Sequence, residues 1–363
     1  MFTKEEKTYY KRQLALHQFG VESQGKLKSS RVLVVGAGGL ASSALQYLVG
    51  AGIGHIGIAD GDSIELHNLH RQTLYDIHSV GKKKAEVAKE KLQLLNPHCT
   101  IKAYSSFLSH DNILDIITDY DVIVDCTDNF TARYLINDAC ILLDKPFVYG
   151  AIYRYEGQVS VFNYQNGPTY RCLFPEKEEN KNILNCNEDG VLGILPGIIG
   201  IYQAMETIKM ITGIGSLLNG QILLINILNN QSQRITIQRK NIPYKELLEK
   251  SGLRSESIAC SNFSCQQISW NELENIKDFI FLDVRNHDEQ PKLSLEKVVE
   301  IPLLELEDKL DQIPSNRNIV CVCKSGIRSE RAISILEKKL NREQLFNLQN
   351  GITNEFLELW KRH

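Results

Sequence analysis

Two stretches of this 363-residue chain hold side chains whose types and spacing can do chemistry. The first opens with Gly36-x-Gly38-x-x-Ala41, with Gly39 inside it and Asp60 nineteen residues beyond Ala41. Glycines so spaced let backbone N–H groups approach a phosphate at a helix N-terminus, and an acid ending the next strand accepts hydrogen bonds from ribose hydroxyls. The pattern binds a nucleotide without distinguishing NAD from ATP, and no G-x-x-x-x-G-K-[ST] loop occurs in the chain. Asp62, Glu65, Asn68, Arg71 and Gln72 follow directly, and then Lys84. A hydride-transfer enzyme needs only the ribose acid here. Arginine, asparagine and lysine instead supply charge-assisted donors for a triphosphate in reaction. Lys82 and Lys83 read as solvated surface; Lys84 does not. Asp125-Cys-Thr-Asp128-Asn129 adds acids at the end of a later strand, the side on which open α/β sheets bind ligands.

The second stretch is Cys323-Lys-Ser-Gly-Ile-Arg328-Ser329, between an apolar strand and a helix. Backbone N–H groups would form a nest at the helix N-terminus, and Arg328 adds positive charge. Such a setting lowers a thiol's pKa and stabilises the anion of a persulfide. A phosphate suits a similar nest, so the loop alone leaves a Cys-dependent phosphatase open. Cys321, two residues earlier, should face the same side but lie deeper, and reads as core.

These residues need elements to position them. Residues 31–35 (RVLVV) form a β-branched run of the kind buried in parallel sheets. A helix is predicted from 42 to about 50, and a strand over 55–59. Another helix is expected over 81–95, stopped by Asn96-Pro97. Residues 121–126 read as a strand and 131–143 as a helix, with later strands at 157–163, 221–228 and 233–239. The first 28 residues could form a helix ending near Gly20 or Gly25. Residues 176–189 read as a mobile polar loop holding Cys186. A new unit begins after a charged stretch, with strands at 279–283 and 318–323 and a helix over 329–339. The alternation predicts an α/β chain: a doubly wound, Rossmann-like domain over 1–240, a linker over 241–265, and a smaller α/β domain over 266–363.

Composition bounds the function. Apolar residues make up 43% and charged residues 23%, with 41 Lys plus Arg against 44 Asp plus Glu. A net charge of −3 gives no global electrostatic attraction to nucleic acid or to an anionic membrane. No run approaches a spanning helix, and the charged first residues lack a signal peptide's apolar core. Nine scattered cysteines read as reduced thiols, and the expected location is cytoplasmic.

Tyr10-Lys-Arg12-Gln13, Phe19-Gly20, Gly36-Ala-Gly-Gly-Leu, Asp60-x-Asp62, Asn68-Leu-x-Arg71-Gln72, Gly81-x-x-Lys84 and Asp125-Cys-Thr-Asp128-Asn129 together carry a resemblance. So do Tyr170-Arg-Cys-Leu-Phe-Pro175, Cys186 and Gly190-Val-Leu-Gly-x-x-Pro-Gly197. Over about residues 8–240 the chain resembles the adenylyltransferases that activate ubiquitin-like sulfur carriers of the molybdopterin and thiamine pathways, relatives of ubiquitin-activating enzymes. The resemblance implies ATP and Mg²⁺ as cofactors, with Asp128 binding the metal. It implies that Asp60 holds the ribose, and that Asn68, Arg71 and Lys84 hold the phosphates. Asp62, Gln72 and Asn129 belong to the same nucleotide site. Arg12 would enter the ATP site of a partner subunit, which implies a homodimer. Cys186 would be a thiol able to take the carrier. Ala41 stands where glycine is more common in the family. Many relatives bind a structural zinc through two C-x-x-C pairs. Here Thr169 replaces one thiolate, and 238–252 contains no cysteine. A closed zinc site is not expected there, and Cys172 reads as buried core; Cys260 and Cys265 lack further ligands.

The Cys323 loop resembles that of rhodanese-type sulfurtransferases, as do Leu282-Asp283-Val-Arg285, Ile301-Pro-Leu303 and Asn347-Leu-x-x-Gly351-Ile. Residues 286–300 depart from the pattern, lacking the usual Gly-His-Ile-Pro-Gly segment. Four residues separate Cys323 from Arg328, where phosphatase loops commonly have five, which favours sulfur. The joint reading is adenylation of a Gly-Gly carrier's C-terminal glycine, then sulfur transfer from a Cys323 persulfide to give a thiocarboxylate. The molybdopterin-synthase small subunit is the preferred carrier, and the thiamine-pathway carrier is the alternative. A non-catalytic carrier-binding scaffold and an NAD-dependent oxidoreductase fused to a sulfurtransferase are the rivals.

Overall fold

The computed structural model describes residues 2–175, 190–244 and 247, and then 266–269, 272–273, 276, 278–285, 289, 292–293, 297–314, 317–323, 326–337, 344–349 and 351–352. The chain divides into two compact units, Met1–Ser251 and Gly252–His363.

The first unit begins with three short helices, α1 (Lys4–Tyr9), α2 (Lys11–Leu14) and α3 (Gly20–Ser29). The expected single helix is therefore broken. Thr3 and Glu6 close a capping box on α1, and Gly20 opens α3 with φ of 58° rather than ending a helix. Then come β1 (Arg31–Val35), α4 (Gly39–Ala51), β2 (His55–Ala59), α5 (Lys84–Leu95), β3 (Thr100–Tyr104), α6 (Ile113–Thr118), β4 (Val122–Asp125) and α7 (Phe130–Leu142). The predicted helix at 81–95 starts at Lys84. Gly81 takes φ of 87° with its N–H on the Ile64 carbonyl, and Lys83 pairs with Ser63, so the entry is extended. The unit continues through β5 (Phe147–Tyr153), β6 (Glu156–Phe162), α8 (Tyr170–Leu173), α9 (Ile194–Thr212), β7 (Gln221–Asn226) and β8 (Gln231–Thr236).

Among the described residues these strands form one sheet in the order β3-β2-β1-β4-β5-β6-β7-β8. The pairs from β3 to β5 are parallel, and the pairs from β5 to β8 are antiparallel. Val32–Val35 and Val122–Asp125 are buried, as central strands of a covered parallel sheet must be. Strand order reverses between β1 and β4, so the loops leaving their paired C-terminal ends turn to opposite faces of the sheet and leave a crevice between them. The nucleotide residues lie there.

Among its described residues the second unit holds a five-stranded parallel sheet in the order β11-β10-β12-β13-β9. Its elements are β9 (Gln266–Ile268), β10 (Phe279–Asp283), β11 (Val298–Glu300), β12 (Asn318–Val322), α10 (Ile327–Leu336) and β13 (Leu345–Leu348). Alternation along β12 separates two cores: Cys321 and Cys323 pack with Leu282 and Ala332, while Val320 and Val322 pack with Phe281 and Leu348. Cys321 and Cys323 thus share a face, as their spacing predicts. Among the described residues no helix is long and apolar enough to cross a membrane.

Candidate active site

The glycine turn after β1 is fixed by bonds that the sequence only partly announces. Gly36 has φ of 90°, and a Cβ there would lie 2.7 Å from the Cys126 carbonyl oxygen. Only glycine lets the β1 and β4 ends approach so closely. Asp60 accepts the Ala37 N–H through one oxygen and the Asp62 N–H through the other, both at 2.7 Å. Burial raises its carboxyl above the usual range, and the two backbone hydrogen bonds work against that rise. The buried Tyr75 hydroxyl donates to the Ala37 carbonyl at 2.8 Å, so Ala37 is held through both its N–H and its C=O.

Beyond the turn lies a cavity of about 820 Å³. Gly36, Gly38, Gly39, Asp60, Asp62, Arg71, Gln72, Lys84, Asp128 and Asn129 all line it. Lys84 extends from the start of α5, almost wholly buried, with its ammonium 2.8 Å from Asp62. Arg71 reaches the cavity from the loop after β2, and Gln72 is buried beside Gly38. Asp128 is exposed to the cavity, and Asn129 caps α7 by accepting the Ala132 N–H.

Two expected residues sit elsewhere. Asn68 is buried, and its amide serves its own loop: Oδ1 accepts the Glu65 N–H, and Nδ2 meets the His67 ring. Arg12 is exposed on α2 and is not part of this cavity's wall. Cys186 lies outside the described residues.

Several wall residues escaped the sequence reading. His67, His70, Arg154 and Arg133 join the cavity. Arg133 is buried, donates to the Thr127 carbonyl at 2.9 Å and stacks on the Tyr149 ring at 5.4 Å. Gln203 on α9 donates to the Asp125 carbonyl at 2.6 Å, and Thr127 donates twice to the Asp125 carboxylate. The loop carrying Asp128 is therefore held from three directions. The signal for Arg133 was its position four residues after Asn129, one helical turn along α7 on the cavity side. Cys126 also faces the cavity, but burial, followed by the Asp125 charge, pushes its thiol well above the ordinary range and makes it a poor nucleophile.

In the second unit, Cys323 is completely buried at the end of β12. Its Sγ accepts the Gly326 N–H at 3.1 Å. The Ser329 hydroxyl lies 3.3 Å from that sulfur and 2.9 Å from the Gly326 carbonyl, so its single proton serves one or the other. Arg328 does not lie free in the loop: both terminal nitrogens bond Glu289, at 2.5 and 2.8 Å. Asp283 and Arg285 form a second buried fork beneath it.

The residues present do not fit a closed thiolate zinc site at Cys172. Its sulfur accepts the N–H groups of Thr169 and Lys240, and the Thr169 hydroxyl bonds Tyr244. Cys260 and Cys265 lie outside the described residues.

The ThiF family profile matches residues 10–245, and a rhodanese-like domain profile matches 269–355. The chain belongs to the ThiF family. Similar proteins include a "Probable molybdopterin-synthase adenylyltransferase" of Porphyra purpurea, 41% identical over 85% of this chain and 82% of its own length. An "Adenylyltransferase and sulfurtransferase MOCS3" of Drosophila grimshawi is 36% identical over 94% of this chain and 82% of its own length. A "Sulfur carrier protein adenylyltransferase" of Thermus thermophilus is 46% identical, covering 66% of this chain and 90% of its own. Among solved structures, E. coli MccB with MccA-N7isoASN superposes with a TM-score of 0.58 at 22% identity, over 64% of this chain and 72% of that one, a likeness of fold. The family's Rossmann-like adenylation fold and the smaller rhodanese α/β domain are thus both present, and both belong to enzymes.

Proposed function

We propose that this ThiF-family chain adenylates the C-terminal glycine of a small ubiquitin-like sulfur carrier ending in Gly-Gly, and then turns that carboxylate into a thiocarboxylate. The observation that carries the reading is the convergence of Asp60, Arg71, Lys84 and Asp128 on one cavity at the strand-order reversal. Asp60 fixes the glycine turn and keeps acceptor lone pairs for a ribose. Arg71 and Lys84 place positive charge where negative charge gathers as the carrier carboxylate attacks the α-phosphorus and pyrophosphate leaves. The ammonium of Lys84 exchanges its partner, from the Asp62 carboxylate to phosphate oxygens.

Mg²⁺ fits Asp128, because this ion takes one or two carboxylates plus phosphate oxygens, and Asp128 offers an exposed carboxylate at the cavity wall. When bound, it would neutralise charge on the departing pyrophosphate. Arg12, exposed outside its own cavity, supports supply of this arginine across a homodimer.

The acyl-adenylate is then attacked by the terminal sulfur of a Cys323 persulfide, and AMP leaves. The resulting acyl disulfide is opened by a second thiol at the Cys323 sulfur, which releases the thiocarboxylate and leaves a disulfide for a cellular thiol to reduce. Cys186 is the candidate second thiol. The Gly326 N–H already points at Cys323 Sγ. The name of the Porphyra relative supports a molybdopterin-synthase carrier, and a cytoplasmic location suits the reduced thiols. The test is intact mass spectrometry of the molybdopterin-type and thiamine-type carriers after incubation with enzyme, Mg-ATP and thiosulfate. Conversion of the first alone to thiocarboxylate is expected. Cys323→Ala should keep ATP–pyrophosphate exchange while losing thiocarboxylate, and Asp128→Ala should lose both. Failure of both carriers to react refutes the proposal.

A further inference from the structure

Arg71 is a half-buried cation in the cavity wall, and its hold is unusual. One terminal nitrogen, Nη1, lies 3.1 Å from the His67 carbonyl and 2.9 Å from His70 Nε2. A guanidinium only donates, so His70 Nε2 must be the acceptor and the ring proton must sit on Nδ1. The two protons of Nη1 are matched by these two acceptors. Among the described residues nothing else bonds Arg71, so Nε and Nη2 remain as a parallel pair of donors, the geometry that grips a phosphate through two oxygens.

The segment is also wedged from behind. A Cβ at Gly193, the residue before α9, would lie 2.4 Å from the His70 carbonyl oxygen and 3.3 Å from its Nδ1. One at Gly39 would lie 3.4 Å from the Arg71 carbonyl oxygen and 3.0 Å from Pro196. The His70–Arg71 peptide is thus pressed between the glycine turn and the start of α9, with no room for the ring to retreat. The charged neighbours on the loop itself are the Glu65–His67 pair, and α9 presents backbone to His70.

We propose that His70 is a positioning residue for adenylation: its neutral ring fixes Arg71 so that the Nε–Nη2 edge is presented to the triphosphate. This rests on the adenylation reading above. The test uses the full chain and compares His70→Ala with His70→Gln, whose amide oxygen can still accept from Arg71. In carrier-dependent ATP–pyrophosphate exchange, His70→Ala should lower kcat/KM for ATP about tenfold, the scale of one hydrogen bond to a charged group. His70→Gln should stay within about threefold of the unchanged protein. ATP affinity, measured by calorimetry, completes a cycle: in an Arg71→Ala background His70→Ala should cost nothing further, because its effect runs through Arg71. An unchanged kcat/KM in His70→Ala overturns the inference. So does an equal loss in both backgrounds, or a loss that His70→Gln does not restore. If the unsubstituted chain shows no exchange at all, the adenylation reading has failed instead.

Discussion

Asp60→Asn isolates the carboxylate that ties the glycine turn to the end of β2. Its two oxygens each accept one backbone N–H at 2.7 Å, from Ala37 and from Asp62. An amide of the same shape can satisfy only one of them and turns an NH2 group towards the other. One hydrogen bond to a charged acceptor is lost, at about 1.5–3 kcal/mol. If the unpaired donor is that of Ala37, which is 1% exposed, water cannot replace the bond. In the other direction, the neutral amide escapes the burial that raises the Asp60 carboxyl. The net should be about 2 kcal/mol against the turn that receives the phosphates. About thirtyfold weaker ATP binding follows if the turn must be intact to bind. The assay is KM for ATP in pyrophosphate exchange, with a thermal melt beside it. A KM within threefold of the parent, with an unchanged melt, would show that the carboxylate does not organise this turn.

Two further substitutions probe how the site is held. Asp138→Ala strands Arg171, whose Nε and Nη2 bond that carboxylate at 2.8 and 2.7 Å with both side chains about 95% buried. A loss of about 3–5 kcal/mol in urea unfolding is expected, largely recovered by Asp138→Leu with Arg171→Met; a loss below about 1 kcal/mol would contradict it. Asp76 is held down to a pKa of about 2, chiefly by Lys91 and then by the Ser79 hydroxyl, from an ordinary 3.8. Its folded form therefore binds fewer protons than the unfolded chain between these values, so its stabilisation is complete above the ordinary value and disappears as pH falls through about 2. Thermal melts should show Asp76→Asn below the parent near neutrality and equal to it at the acid end; a gap that persists there would refute the assignment.

The parallel half of the first sheet was legible because its strands are short β-branched runs buried on both faces. Val32–Val35 and Val122–Asp125 announce themselves this way. β3 does not: Thr100-Ile-Lys-Ala-Tyr104 mixes polar and apolar residues at the sheet edge. β8 was expected over 233–239 and runs over Gln231–Thr236, because a strand exposed along its whole length carries no burial pattern to mark its ends. Asp60 and Asp128 were legible as cavity residues because they follow the ends of β2 and β4, and Lys84 because it opens α5 beside them. Asn68 stands outside the cavity wall for a local reason. An asparagine in a turn bonds its own backbone more readily than a distant ligand, as its contact with the Glu65 N–H shows. Tyr75, Arg133 and His70 were missed because they are held by contacts with other elements, with Ala37, the Tyr149 ring and Gly193 before α9.

The two halves stabilise charge by different means, and this makes their reactions separable. Pyrophosphate departs from a cavity with cationic donors in reserve: Lys84 can leave Asp62, and Arg71 keeps two donors unused. The sulfur site has no such reserve among its described residues. Arg328 gives both terminal nitrogens to Glu289, and what reaches Cys323 Sγ is the Gly326 N–H and the Ser329 hydroxyl. Neutral dipoles of that kind suit the single, diffuse charge of a thiolate or persulfide better than the localised charge of a leaving pyrophosphate. Changes to Lys84 or Arg71 should accordingly leave sulfur loading of Cys323 intact, and changes to Ser329 should leave pyrophosphate exchange intact. The chain joins two chemistries without making either depend on the other's electrostatics.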